Sequence, residues 1–187
     1  MNKIYLKKNS GFTLIELMVA TSIFVVVMMA SIGSLFNLFG NAKNSRALRF
    51  AMDNVNYAME SMTRSLRMGL NYYCGASTPS GLEETMDCTG GGTLVAFVPQ
   101  NNPNIRITYK WATRANGTKT IERCEGNVCV EVVSSDVNVE FFKFYVRGSS
   151  PSDNLQASVY VLVKGSVDVK GVKSSFSIQT LASQRNF

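Results

Sequence analysis

Residues 11–40, GFTLIELMVATSIFVVVMMASIGSLFNLFG, decide the architecture of this chain. They follow a ten-residue leader, MNKIYLKKNS, that carries Lys3, Lys7 and Lys8 and no acid. Glu16 is the lone carboxylate in the apolar stretch, and 26 residues without a formal charge separate it from Lys43. About 20 apolar residues are enough to cross the hydrocarbon core of a bilayer, so the run predicts a membrane-spanning helix. A carboxylate inside such a helix is costly, roughly 2.5–3.5 kcal/mol at the bilayer centre on insertion scales, and marks a functional position by default.

In order, the lysine-rich leader, Gly11, Phe12-Thr13-Leu14-Ile15-Glu16 and the apolar run resemble the processing signal of type IV pilins and type II secretion pseudopilins. An ordinary secretory signal is cut after its hydrophobic region. Here the Gly11–Phe12 junction precedes that region, so the span stays in the mature protein. The resemblance implies that a prepilin peptidase cuts between Gly11 and Phe12 at the cytoplasmic face and methylates the new Phe12 amine. It also implies that Glu16 sets axial register by pairing with the N-terminal amine of a neighbouring subunit. Glu16 would be the fifth residue of the mature chain, one helical turn from Phe12. The physical part of that role is that a desolvated charge requires a partner. The partners implied are prepilin peptidase, other pilin or pseudopilin subunits, an inner-membrane assembly platform and membrane lipid. The location implied is the inner membrane, single-pass with the N-terminus cytoplasmic, and then an extracytoplasmic filament. Charge alone does not orient the span, because Lys43, Arg46 and Arg49 balance the leader lysines.

Composition narrows the chemistry. The chain has 187 residues and no histidine, which removes histidine-based acid–base catalysis, histidine metal sites and Ser-His or Cys-His nucleophiles. The net charge of +6 sits mainly in the leader and in residues 41–70. From residue 71 onward eleven basic residues face ten acids, poor support for a phosphate-binding surface, so nucleic acid is not an expected partner. Cys74, Cys88, Cys124 and Cys129 all follow the span, and an even count there reads as two disulfides in an oxidising compartment. Of three pairings, hairpin geometry favours one. Gly126-Asn127 is a two-residue turn signal that sets Cys124 opposite Cys129, leaving Cys74 for Cys88. A tetrathiolate zinc site is the rival, matched in spacing only by residues 124–129.

Past Gly40 the pattern turns amphipathic. Leu48, Met52, Val55, Met59, Met62 and Leu66 recur every three or four residues, an apolar stripe that predicts a helix continuing to about Gly69 and packing on the domain's own sheet. Gly40-Asn41 is its weakest point. The expected organisation is a leader (1–11), a transmembrane helix (12–40), an amphipathic helix (41–70), a disulfide-tied connector (71–92) and a β-sheet domain (93–187). Strands are expected at 93–98, 105–113, 118–124, 129–134, 137–146, 157–169 and 174–182, in a mostly antiparallel sheet. This α+β order, long helix, connector, then sheet, is the pilin layout. Ile107–Trp111, Ile121–Arg123, Val137–Val146 and the ending Thr180–Asn186 loosely resemble the J-type minor pseudopilin or the W-type minor pilin.

The leading expectation is a minor pilin or pseudopilin subunit, not an enzyme, with no cofactor and no metal. The alternative of a different class is a DNA-uptake pilin, a filament-tip module using Arg106, Lys110, Arg114 and Lys119 beside Tyr109 and Trp111. On a strand those residues do not share one face. A membrane-anchored enzyme would have to rest on Asp136, Glu140 and Asp153, which lack the ligand spacing of an Asp-rich cation loop.

Overall fold

The computed structural model describes residues 11–150, 153–169 and 172–185; the leader lysines fall outside them. The chain divides into two compact units, Met1–Ser45 and Arg46–Phe187. The first holds the beginning of helix α1 (Leu14–Arg67). Its Leu14–Leu35 segment has mean hydropathy 2.2, no burial against protein, and is long and apolar enough to cross a membrane.

In the second unit α1 continues and is followed by eight strands: β1 (Gly69–Gly75), β2 (Leu94–Pro99), β3 (Ile107–Thr113), β4 (Lys119–Glu125), β5 (Val128–Glu131), β6 (Val137–Arg147), β7 (Ser158–Val169) and β8 (Val172–Ser183). The result is a helix followed by antiparallel sheet, the α+β pilin-like layout. The sheet is two sheets, β1-β2-β3-β4-β5 and β6-β7-β8, each an antiparallel meander. The apolar stripe of α1 explains how one helix serves both. Ala51, Val55, Ala58, Met59, Met62 and Leu66 are buried in one core with Val95, Phe97 and Tyr109 of the first sheet and Phe142, Phe144 and Val161 of the second. Leu48 and Met52, at the start of the stripe, are only half-buried. The helix ends at Arg67 because its last carbonyls are taken elsewhere. The Tyr72 hydroxyl donates to Leu66 O, and the Arg185 N–H donates to Arg67 O at 2.9 Å. Burial of that hydroxyl drives the Tyr72 pKa up, outweighing a backbone hydrogen bond at Gly69.

Two local features set the register of the second sheet. In β6 the buried residues are Val137 and Val139, then Phe142, Phe144 and Val146, a change of parity. A register shift between Val139 and Phe141 makes the switch, so both halves of the strand face the core. Opposite it, Gly165 gives room: a Cβ there would lie 2.6 Å from Asn138 O and 2.8 Å from the Phe176 ring.

Residues 69–75 form a strand where the sequence predicts the end of a helix and a connector. The stretch lacks a readable alternation, since a shift between Leu70 and Tyr73, with Asn71 at φ 49°, breaks its period. What makes it a strand is tertiary: Tyr72 and Cys74 are buried, and β2 supplies the ladder. The rest of the connector is stitched between the sheets. Cys74 N–H donates to Met86 O at 3.0 Å, Cys88 N–H to Val146 O at 3.1 Å, and Gly92 and Phe144 exchange two 2.8 Å bonds.

Candidate functional site

Gly11, Phe12 and Thr13 lie ahead of the helix, and α1 starts at Leu14 rather than at Phe12. Thr13 is the reason. Its Oγ1 accepts from Glu16 N–H at 3.4 Å and its carbonyl from Leu17 N–H at 3.2 Å, the geometry of an N-cap. Thr13-Leu14-Ile15-Glu16 has the S/T-x-x-E spacing of a capping box, a signal legible in the sequence that the processing motif had overshadowed. The Gly11–Phe12 bond therefore sits in exposed, non-helical chain, with Phe12 84% exposed. Among the described residues, nothing approaches within 4 Å of where a Cβ on Gly11 would stand. Glu16 lies in the first turn, where a carboxylate is favoured by the helix dipole. Among the described residues, no basic side chain lies within ion-pair distance of it.

The four cysteines are bonded as Cys74–Cys88, with Cα atoms 5.6 Å apart, and Cys124–Cys129, 4.0 Å apart. Cys124 and Cys129 are direct cross-strand partners next to the Glu125–Val128 pair. Of the turn residues Gly126 has φ +58° while Asn127 stays negative, the type II′ arrangement with glycine first. With the thiols spent in disulfides, no tetrathiolate site exists. One group of His, Cys, Asp or Glu with metal-ligand spacing is found among the described residues, Glu122 with Cys124 and Cys129, and it contains that same disulfide.

The basic cluster suggested for nucleic acid is taken apart by the fold. Arg106 is buried, and its Nη2 donates to Leu82 O at 2.8 Å and Glu84 O at 2.9 Å, pinning the connector. Burial pulls the Arg106 pKa down, against the opposing pull of Glu84, Tyr73 and Glu83. Lys110 pairs with Glu122 at 3.1 Å. Lys119 sits 3.9 Å over the Trp111 ring, whose indole N–H donates to Val139 O at 3.0 Å. Tyr109 is core. Arg114, 8% exposed, bonds Glu131, Thr120 and the carbonyls of Val137 and Ser134. The acids do not converge either. Glu140 accepts from Ser166 Oγ at 2.7 Å and Lys173 Nζ at 3.0 Å, which hold its pKa below the usual carboxylate range. Asp153 Oδ1 accepts from Leu155 N–H at 2.8 Å, and Asp136 joins its turn through its backbone N–H, which donates to Ser134 Oγ at 3.3 Å.

One carboxylate does have a structural post. Asp87 accepts from Gly148 N–H at 3.1 Å and Ser149 N–H at 2.9 Å, fastening the connector to the end of β6. Burial pushes its pKa up, but the Ser149 hydroxyl and N–H, the Gly148 N–H and nearby Arg147 outweigh that and hold it low.

Residues 6–32 match the family model of the prokaryotic N-terminal methylation motif, the signal of type IV pilins and pseudopilins. The chain carries that signal on a candidate membrane span, followed by a pilin-like α+β layout. The match covers 27 of the 187 residues, so what it shows is a prepilin-type signal at the N-terminus. No curated protein and no solved structure matches it.

Proposed function

We propose that this chain is a minor pilin or pseudopilin subunit, cut between Gly11 and Phe12, methylated on the Phe12 amine and assembled into a type IV pilus-like or type II secretion filament. The observation that carries this reading is the methylation motif lying across an exposed, non-helical Gly11–Phe12 bond directly ahead of an apolar helix. Proteases act on extended, accessible backbone, and Thr13 keeps the bond out of the helix. In this reading the span anchors the subunit in the inner membrane with its N-terminus cytoplasmic, the assembly platform extracts it, and Glu16 meets the amine of a neighbour. That pairing agrees with a carboxylate that has no cation partner among the described residues.

The alternative, a DNA-uptake pilin, loses its support because Arg106, Lys110, Arg114 and Lys119 are each engaged inside the fold. The test of the leading reading is the intact mass of the membrane form. Removal of eleven residues from 187 leaves 176, starting at N-methyl-Phe12. Gly11→Val, whose Cβ meets nothing among the described residues, should leave the protein at full length because the obstruction is in the peptidase. A mature wild type that keeps Met1–Gly11 refutes the proposal.

A further inference from the structure

The outward face of the second sheet gathers charge of one sign. Its side chains alternate with the core residues of β6, β7 and β8 and line up across the ladder. Phe141 lies beside Lys164 and Ser177, Lys143 beside Leu162 and Gln179, and Tyr145 beside Tyr160 and Leu181. The stretches 141–147, 158–164 and 177–183 hold three basic residues and no acid. Arg147, at the end of the face, lies near Asp87 of the connector. Lys143 and Lys164 have no such partner. Among the described residues neither has a carboxylate within ion-pair distance, and Glu140, at the β6 bulge, is already held by Ser166 and Lys173. Each ammonium stands 5.9 Å over the Phe141 ring instead. The two lysines are diagonal neighbours across β6 and β7, roughly 7–8 Å apart at the backbone. An anion set over Phe141 would meet both.

The rest of the face says what carries the anion. Nucleobases stack on free ring faces. Here the lysines lie over Phe141, and Tyr145 and Tyr160 lean on each other with centroids 5.9 Å apart. A protein partner would bury an apolar centre, but the middle row sets Lys143 and Gln179 on either side of Leu162. What the face does offer is hydrogen bonding. The Tyr160 hydroxyl donates to Gln179 Oε1 at 2.6 Å, which leaves the Gln179 amide N–H donors without a partner among the described residues. A hydroxyl-rich chain that also bears carboxylates matches both parts, its hydroxyls meeting the amide and its carboxylates the two lysines.

We propose that the outward face of β6–β8 binds a polysaccharide bearing carboxylates, with its charge between Lys143 and Lys164 and its hydroxyls on Tyr160 and Gln179. This does not depend on the filament reading and stands whether or not the chain is cut at Gly11.

Isothermal titration of the full chain in detergent micelles tests it, with polygalacturonate as the probe. The methyl-esterified polymer, oligothymidylate and polyglutamate are the comparisons. Polygalacturonate should bind, and esterification, which removes both ion pairs, should weaken it by about tenfold. Lys143→Gln and Lys164→Gln should each weaken it about twofold to fivefold and keep the wild-type Tm, since neither lysine has a carboxylate partner to lose. Lys110→Gln, on the first sheet and paired with Glu122, should leave binding unchanged. Equal affinity for the methyl ester, or no binding of polygalacturonate, overturns the proposal. Tighter binding of oligothymidylate or of polyglutamate also overturns it, in favour of nucleic acid or of an acidic protein. A folded double variant, Lys143→Gln with Lys164→Gln, that binds like wild type sinks the idea.

Discussion

Replacing Arg114 by Ala should strongly destabilise the second unit, Arg46–Phe187. The residue lies just past β3, yet its side chain is 8% exposed and its guanidinium joins three segments. Four of its hydrogen bonds are 3.0 Å or shorter, to Glu131 Oε2, Val137 O, Thr120 Oγ1 and Ser134 O. The Glu131 contact counts for little, since that side chain is 42% exposed and water screens the pair. The carbonyls of Val137 and Ser134, at the crossing from one sheet to the other, would lose a charged donor, at about 1.5–3 kcal/mol each. The sum is about 3–6 kcal/mol, overlapping the roughly 3–5 kcal/mol for breaking a buried charged network. For a unit of this size that corresponds to a fall in Tm of roughly 10–20 °C. Arg114→Lys keeps the charge but not the planar fork, and should recover less than half of the loss. Glu131→Gln should change little. Thermal unfolding of the full chain in detergent, followed by circular dichroism without reductant, measures all three. An Arg114→Ala variant within about 3 °C of wild type would refute the view of Arg114 as an internal clamp and return it to the candidates for ligand binding.

Three other outcomes are expected. Gly165→Ala should destabilise strongly, by about 2–4 kcal/mol, because the new methyl meets the Asn138 carbonyl rather than a movable side-chain end; a Tm equal to wild type would show that the β6 bulge relaxes freely. Asp87 has a lowered folded pKa, so its contribution is present above the unfolded carboxylate value of about 3.9 and is lost as pH falls through the folded value. The Tm difference between wild type and Asp87→Asn should therefore shrink from about pH 6 to about pH 3, and a constant difference would disprove the linkage. Glu16→Gln should insert and be cleaved normally, yet enter filaments poorly, because the partner amine is left unpaired in a low-dielectric bundle; equal incorporation in quantitative mass spectrometry of purified filaments would remove Glu16 from the assembly role.

Several features were legible in the chain because each rests on local chemistry. The uncharged run after Glu16 marks a candidate span by length alone, and the leader, Gly11 and Phe12–Glu16 resemble a processing signal that the family model matches. The stripe of Val55, Met59, Met62 and Leu66 has helical period whatever it packs against. Gly126-Asn127 brings Cys124 to Cys129 through a turn only two residues long. The tertiary structure decided what depends on residues distant in sequence. Residues 69–75 become a strand because β2 offers a ladder and the core takes Tyr72 and Cys74. The strands form two sheets that share one core with the helix stripe, a pairing between residues far apart in the chain. The basic residues 106, 110, 114 and 119 look like a patch when read along the chain. Folding points them at Leu82, Glu122, Val137 and Trp111, because a cation near a forming core finds carbonyls, a carboxylate and a ring closer than it finds solvent. A sequence shows which charges a protein has; packing decides which of them remain available to a partner.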